Sequence, residues 1–103
     1  MSPPFRYFFV HIVYLRPFSE IEPLVASHRA FLDTCLKDGL LLLSGPLAPR
    51  TGGLLLMRGS DRGQIETLLA GDPYAKARVA RHDLLEFQPV KACPELSGLL
   101  GGG

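Results

Sequence analysis

The sequence predicts a single α+β domain whose elements follow the order strand, helix, strand, strand, helix, strand. Three observations carry that reading. Residues 5 to 15, FRYFFVHIVYL, concentrate the aromatic and β-branched types that strands favour. Two later segments, from Ser19 to Gly39 and from Ser60 to Gly71, place apolar residues at helical spacing between a start signal and a glycine stop. With 103 residues, 47% hydrophobic and 20% charged, the chain can bury one core, and a two-domain enzyme is excluded.

Taken in order, the first strand ends at Arg16-Pro17, because proline biases the residue before it toward extended geometry. Ser19 is positioned to cap a helix with Glu20 and Glu22 in its first turn, where Pro23 is tolerated only because it comes so early. That helix runs to Lys37-Asp38 and stops at Gly39. Residues 40 to 44 and 53 to 58 are leucine-rich runs joined through Pro49-Arg50-Thr51-Gly52, which predicts a strand pair and its loop. Ser60 or Asp61 starts the second helix, which ends at Gly71, and Asp72-Pro73 reads as a cap followed by proline at the first position of a short helical segment. Residues 81 to 91 form the last strand. This order is the βαββαβ arrangement of the ferredoxin-like split βαβ sandwich. We expect it to occupy residues 1–93, with 94–103 as a flexible C-terminal tail.

Alternation along the first strand puts Phe5, Tyr7, Phe9, Val13 and Leu15 on one face and Phe8, Val10, Ile12 and Tyr14 on the other. Both faces therefore call for cover, and two short helices cover only one. The other face packs most simply on its counterpart in a second copy, which predicts a homodimer with a barrel-like apolar core and leaves higher assembly open.

Eleven Lys and Arg against ten Asp and Glu leave a net charge of +1, without the basic excess that nucleic acid or an anionic membrane requires. No nucleic-acid or membrane partner is expected. Cys35 and Cys93 form no CxxC pair, and the N-terminus, MSPPFRYFF, fits neither a signal peptide nor a span of about 20 apolar residues. Both cysteines read as reduced and the expected compartment is the cytoplasm.

His28 falls in the middle of the apolar stripe of the first helix, among Ile21, Leu24, Val25, Leu32, Cys35 and Leu36, so a titratable ring points toward the sheet. Two readings stand: a core histidine satisfied by a backbone carbonyl, or a general acid/base in a small apolar pocket, work that suits an imidazole near neutral pH. Asp72 likewise reads either as the cap of the segment that Pro73 starts or as the carboxylate that orients His28. The loop from Ser44 to Gly53 offers hydroxyls, a guanidinium in Arg50 and glycines that allow close backbone approach, enough to hold a small anionic or carbonyl-bearing ligand. It carries no Walker or GxGxxG pattern. His11, His28 and His82 lack metal-ligand spacing, so no metal is expected, and no nucleophile motif accompanies Ser44 or either cysteine.

Several segments together resemble the YciI-like family of the dimeric α/β-barrel superfamily: His28 with Phe31-Leu32, Asp38-Gly39-Leu40-Leu41, Ser44-Gly45-Pro46, Pro49-Arg50-Thr51-Gly52-Gly53 and Asp72-Pro73-Tyr74. The similarity runs in order over residues 5 to 91 and implies a ferredoxin-like subunit and a dimer. It implies, too, that His28 and Asp72 are a catalytic pair, with Ser44, Gly45, Arg50 and Tyr74 as the substrate-binding set. His82 receives no role from it. Related dimeric barrels include lyases, isomerases and monooxygenases that act on small cyclic or aromatic compounds without an obligatory cofactor. The expectation is therefore a cofactor-independent acid/base enzyme of lyase or isomerase type, acting through a His-Asp pair on a small apolar or aromatic compound. The alternative is a non-catalytic dimeric module that binds a small molecule or serves assembly.

Overall fold

The computed structural model describes residues 5–100; residues 1–4 of the expected domain and 101–103 of the expected tail lie outside the described residues. Four strands, β1 (Arg6–Tyr14), β2 (Leu41–Pro46), β3 (Gly52–Gly59) and β4 (Ala80–Phe87), form one antiparallel sheet in the order β2-β3-β1-β4. Between them run α1 (Phe18–Ile21), a 3₁₀ turn (Glu22–Leu24), α2 (Val25–Lys37), α3 (Arg62–Leu69) and α4 (Pro73–Lys76), and α5 (Pro94–Ser97) follows. Each βαβ half closes around a strand of the other, so the chain has the ferredoxin-like α+β fold.

The core lies between the sheet and its helices. Phe8, Val10 and Ile12 of β1 meet Leu55 and Met57 of β3 on that face, together with Ile21, Leu32, Cys35, Ile65 and Leu69 from the helical layer. Each such side chain contributes about 1.5–3 kcal/mol by leaving water. The other face carries Tyr7, Phe9, Val13, Leu54 and Leu85. It is less uniformly apolar than the strand alone suggested, because His11 is exposed at its centre, between Leu54 and Asp83.

The first helix is broken. Helical backbone starts at Phe18 after Pro17, with no side-chain cap from Ser19, and Pro23 forces a 3₁₀ turn before α2 begins at Val25. The apolar stripe nevertheless runs through the break: Ile21, His28, Leu32 and Cys35 are all buried, while Leu36 turns to solvent. Gly39 ends the helix with φ 78°, the left-handed geometry that glycine adopts without strain. At α3 the cap is Asp61, whose carboxylate accepts from Gln64 N–H at 2.8 Å, and the Gln64 side chain returns to accept from Ser60 N–H at 2.7 Å. Strand β4 stops at Phe87, short of the expected Lys91, where Pro89 denies the ladder a donor. Beyond it, the α5 region returns to the sheet, and Arg58 donates to the Leu99 carbonyl at 3.3 Å.

Candidate functional site

The two readings of Asp72 turn out to be compatible. As the N-cap of α4 its Oδ1 accepts from Tyr74 N–H at 3.0 Å, and the same oxygen lies 2.8 Å from His28 Nδ1. Its other oxygen, Oδ2, lies 2.9 Å from His82 Nε2. The short segment that Pro73 starts thus aims the carboxylate between α2 and β4, and Asp72 has no solvent exposure at all.

Burial by itself would push this carboxyl upward, but the hydrogen bonds from His28, His82 and Tyr74 N–H, with the charge of His28, outweigh it and hold it at about 2. A carboxylate in that state only accepts, so both rings donate to it. In its neutral form His28 then carries its proton on Nδ1, which leaves the lone pair of Nε2 for other work.

His28 lines a cavity of about 270 Å³ together with Ile12, Tyr14, Ser44, Arg50 and Tyr74. Its ring stacks on that of Tyr74, with centroids 3.9 Å apart and planes 8° from parallel, so the imidazole is held on one side by a carboxylate and across its face by a phenol. Tyr74 is buried, and its hydroxyl has no hydrogen-bond partner among the described residues. Burial pushes the Tyr74 phenol above the ordinary phenol range, so it holds its proton more tightly; the Tyr14 hydroxyl adds to this, and the neighbouring Arg50 guanidinium opposes both. Arg50 Nε donates to Tyr14 Oη at 3.2 Å, and its guanidinium sits 4.8 Å from the Phe18 ring centre.

The remaining wall is backbone. Gly52 and Gly53 line the cavity where β3 runs against β1 and β2, and a Cβ on Gly52 would lie 1.9 Å from the Ile12 carbonyl oxygen. Only glycine fits there. Ser44 and Gly45 also line the cavity but are exposed at its rim.

All the sequence-derived candidates, His28, Asp72, Ser44, Gly45, Arg50 and Tyr74, therefore lie at one cavity or, for Asp72, directly behind it. Two contributors escaped the sequence reading. Tyr14 was read only as a strand residue, although it is the anchor of Arg50. His82 was assigned no role, yet alternation in β4 places it on the inward face with Ala80 and Leu84, opposite Ile12, and this was the available signal. Among the described residues no group of three or more His, Cys, Asp or Glu is arranged to hold a metal ion: Asp72 stands between the two imidazoles as their acceptor. Cys35 is buried in the core on the inward side of α2, and burial, reinforced by Asp38 and Asp72, raises its thiol and leaves it a poor nucleophile.

Comparison with known proteins follows the same lines. The family model of the YCII-related domain matches residues 7–88. No curated protein matches the chain by sequence. Among solved structures, the chain is similar to 5-chloro-2-hydroxyhydroquinone dehydrochlorinase from Burkholderia phenoliruptrix, solved in complex with 2,5-dihydroxybenzoquinone. The TM-score is 0.66 at 18% identity, over 84% of this chain and 95% of that one. At that identity the likeness is one of fold.

Proposed function

The chain belongs to the YCII-related domain family, and on that premise we propose that it is a cofactor-independent acid/base enzyme of lyase or isomerase type acting on a small planar, apolar or aromatic compound. The observation that carries this reading is the placement of His28: Nδ1 is committed to Asp72 while the ring lines a cavity of about 270 Å³. A histidine so held is a base with a fixed tautomer.

In this reading His28 Nε2 removes a proton from the bound compound, and Asp72 stabilises the imidazolium that results. In a lyase the electron pair left behind forms a double bond as a leaving group departs with its own bonding pair, and the proton then passes from His28 to solvent. In an isomerase His28 returns the proton to another atom. The unpartnered Tyr74 hydroxyl supplies a hydrogen bond to a substrate oxygen, Arg50 a counter-charge, and Ser44 and Gly45 the outer wall. The structural neighbour is named for dehydrochlorination and was solved with a dihydroxybenzoquinone, which supports a small oxygenated ring as the substrate class.

The same proposal includes a homodimer through the open face of the sheet, where Leu43 and Leu54 are exposed and Leu85 is 68% so. The catalytic unit is residues 1–93, with 94–103 appended. No described helix is long and apolar enough to cross a membrane. Cys35 and Cys93 are free thiols, in keeping with the cytoplasm, where we place the protein.

The test is an NMR titration of the His28 ring in the wild type and in Asp72→Asn, repeated with small phenols, quinones and aromatic carboxylates. We expect the mutant curve to differ and at least one compound to perturb the ring and be turned over. Tyr74→Phe, which preserves the stack on His28, should weaken binding of that compound roughly tenfold, the worth of one hydrogen bond. A His28 curve indifferent to both the mutation and every compound overturns the enzymatic reading; binding without turnover replaces it with the non-catalytic module.

A further inference from the structure

Asp72 is enclosed by two imidazoles that open in different directions. His28 faces the cavity just described. His82, on the opposite oxygen at 2.9 Å, lines a second cavity of about 510 Å³ bounded by Arg62 and Glu66 of α3, Arg78 after α4, and Leu15, Leu84 and Arg81. Nothing in the proton transfer proposed above requires His82. Among the described residues none lines both cavities, and the link between them is the Asp72 carboxylate, bonded to a ring from each.

A buried carboxylate with two donors on opposite oxygens has its orientation determined by both. Rotation about χ2, which would lift Oδ1 from His28, must break the bond from His82 as well. Charge is shared in the same way. Both rings face the same negative charge, so a proton gained by one reduces what the carboxylate offers the other.

We propose that His82 is a positioning residue of this site, which holds Asp72 in register with His28 and, through its own protonation from the second cavity, sets how strongly Asp72 supports a charge on His28. This rests on the acid/base reading of His28. The charged groups that face His82 are Asp72 from the turn before α4, Arg62 and Glu66 from α3, Arg78 from the following turn and Arg81 beside it on β4; β1 presents Ile12, which carries no charge. Arg62 is already engaged with Glu66 at 3.2 Å and Arg81 with Asp83 at 3.2 Å. Among the described residues Asp72 therefore remains the one anion in hydrogen-bond contact with His82. Solvent in the second cavity, separate from any ligand in the first, becomes an input to the basicity of His28.

The test compares His82→Gln with the wild type, following the ring resonances of His28 against pH without ligand. Glutamine keeps a donor for Oδ2 but cannot take a proton. A merely structural His82 is thus satisfied by it, and the His28 curve stays in place. We expect instead that the His28 midpoint rises by about one pH unit and that a two-step wild-type curve becomes a single step. Coincident curves in a folded His82→Gln protein overturn the proposal. Should that variant fail to fold, the wild type decides alone: the rings of His28 and His82 must report the same pair of midpoints, and independent single-step curves overturn it. Failure here leaves the response of His28 to Asp72→Asn and to small phenols untouched, so the two readings fail separately.

Discussion

The two ends of the His28 cavity are built differently. At the inner end, Asp72 and Tyr74 are 0% and 1% exposed, and three hydrogen bonds converge on one carboxylate from α2, α4 and β4. At the rim, Ser44, Gly45, Pro46 and Arg50 are all exposed. Arg50 is held by one 3.2 Å bond to Tyr14 and the face of Phe18. The groups that would move a proton are thus locked by packing, whereas those that would select a ligand sit at the exposed end of the edge strand β2 and on the loop that follows it.

The largest effect that separates the two ends is expected from Asp72→Ala. It leaves two buried imidazole donors without an acceptor and strips the cap from α4. Urea unfolding should show a loss of about 3–5 kcal/mol, the range for breaking a buried pair by removing one partner. A loss under 1 kcal/mol would mean that the inner end is no more rigid than the rim.

A smaller effect is expected from acid. The Asp72 carboxyl is lower in the folded state, at about 2, than its ordinary 3.8. Its contribution is therefore fully present above pH 4 and lost as pH falls through the folded value. That contribution is about 2 kcal/mol. Unfolding midpoints measured between pH 5 and 2 should fall more steeply in the wild type than in Asp72→Asn, and parallel curves would remove the carboxylate as the origin of the acid sensitivity. The smallest effect belongs to the rim: Arg50→Ala should change stability by no more than about 0.5 kcal/mol, because an exposed hydrogen bond contributes little. Any weakening of ligand binding in that variant is then a property of the site alone.

Much of the inner end was legible from residue types and spacing. His28 announced itself as the polar member of an apolar helical stripe, and Asp72-Pro73 as a cap followed by a proline start. What spacing could not show was that the cap and the partner are one group, because an aspartate oxygen accepts two hydrogen bonds and only the packing of α4 against α2 brings the second donor to it. Pro23 had a similar ambiguity: a proline early in a helix and one that breaks it read alike until the chain before it is seen to be helical from Phe18.

By itself the sequence determined the order of the strands and main helices and the inward stripe of the first helix, with His28 in it, because these follow from local propensity and from periods of two and 3.6 residues. Tertiary structure alone decided that His82, ten positions beyond Asp72 and on another element, completes the carboxylate. It alone decided that Tyr74 stacks on His28 and leaves its hydroxyl without a hydrogen-bond partner among the described residues. Such contacts depend on the relative placement of helix, turn and strand to within the length of a hydrogen bond, and sequence separation carries no such distance.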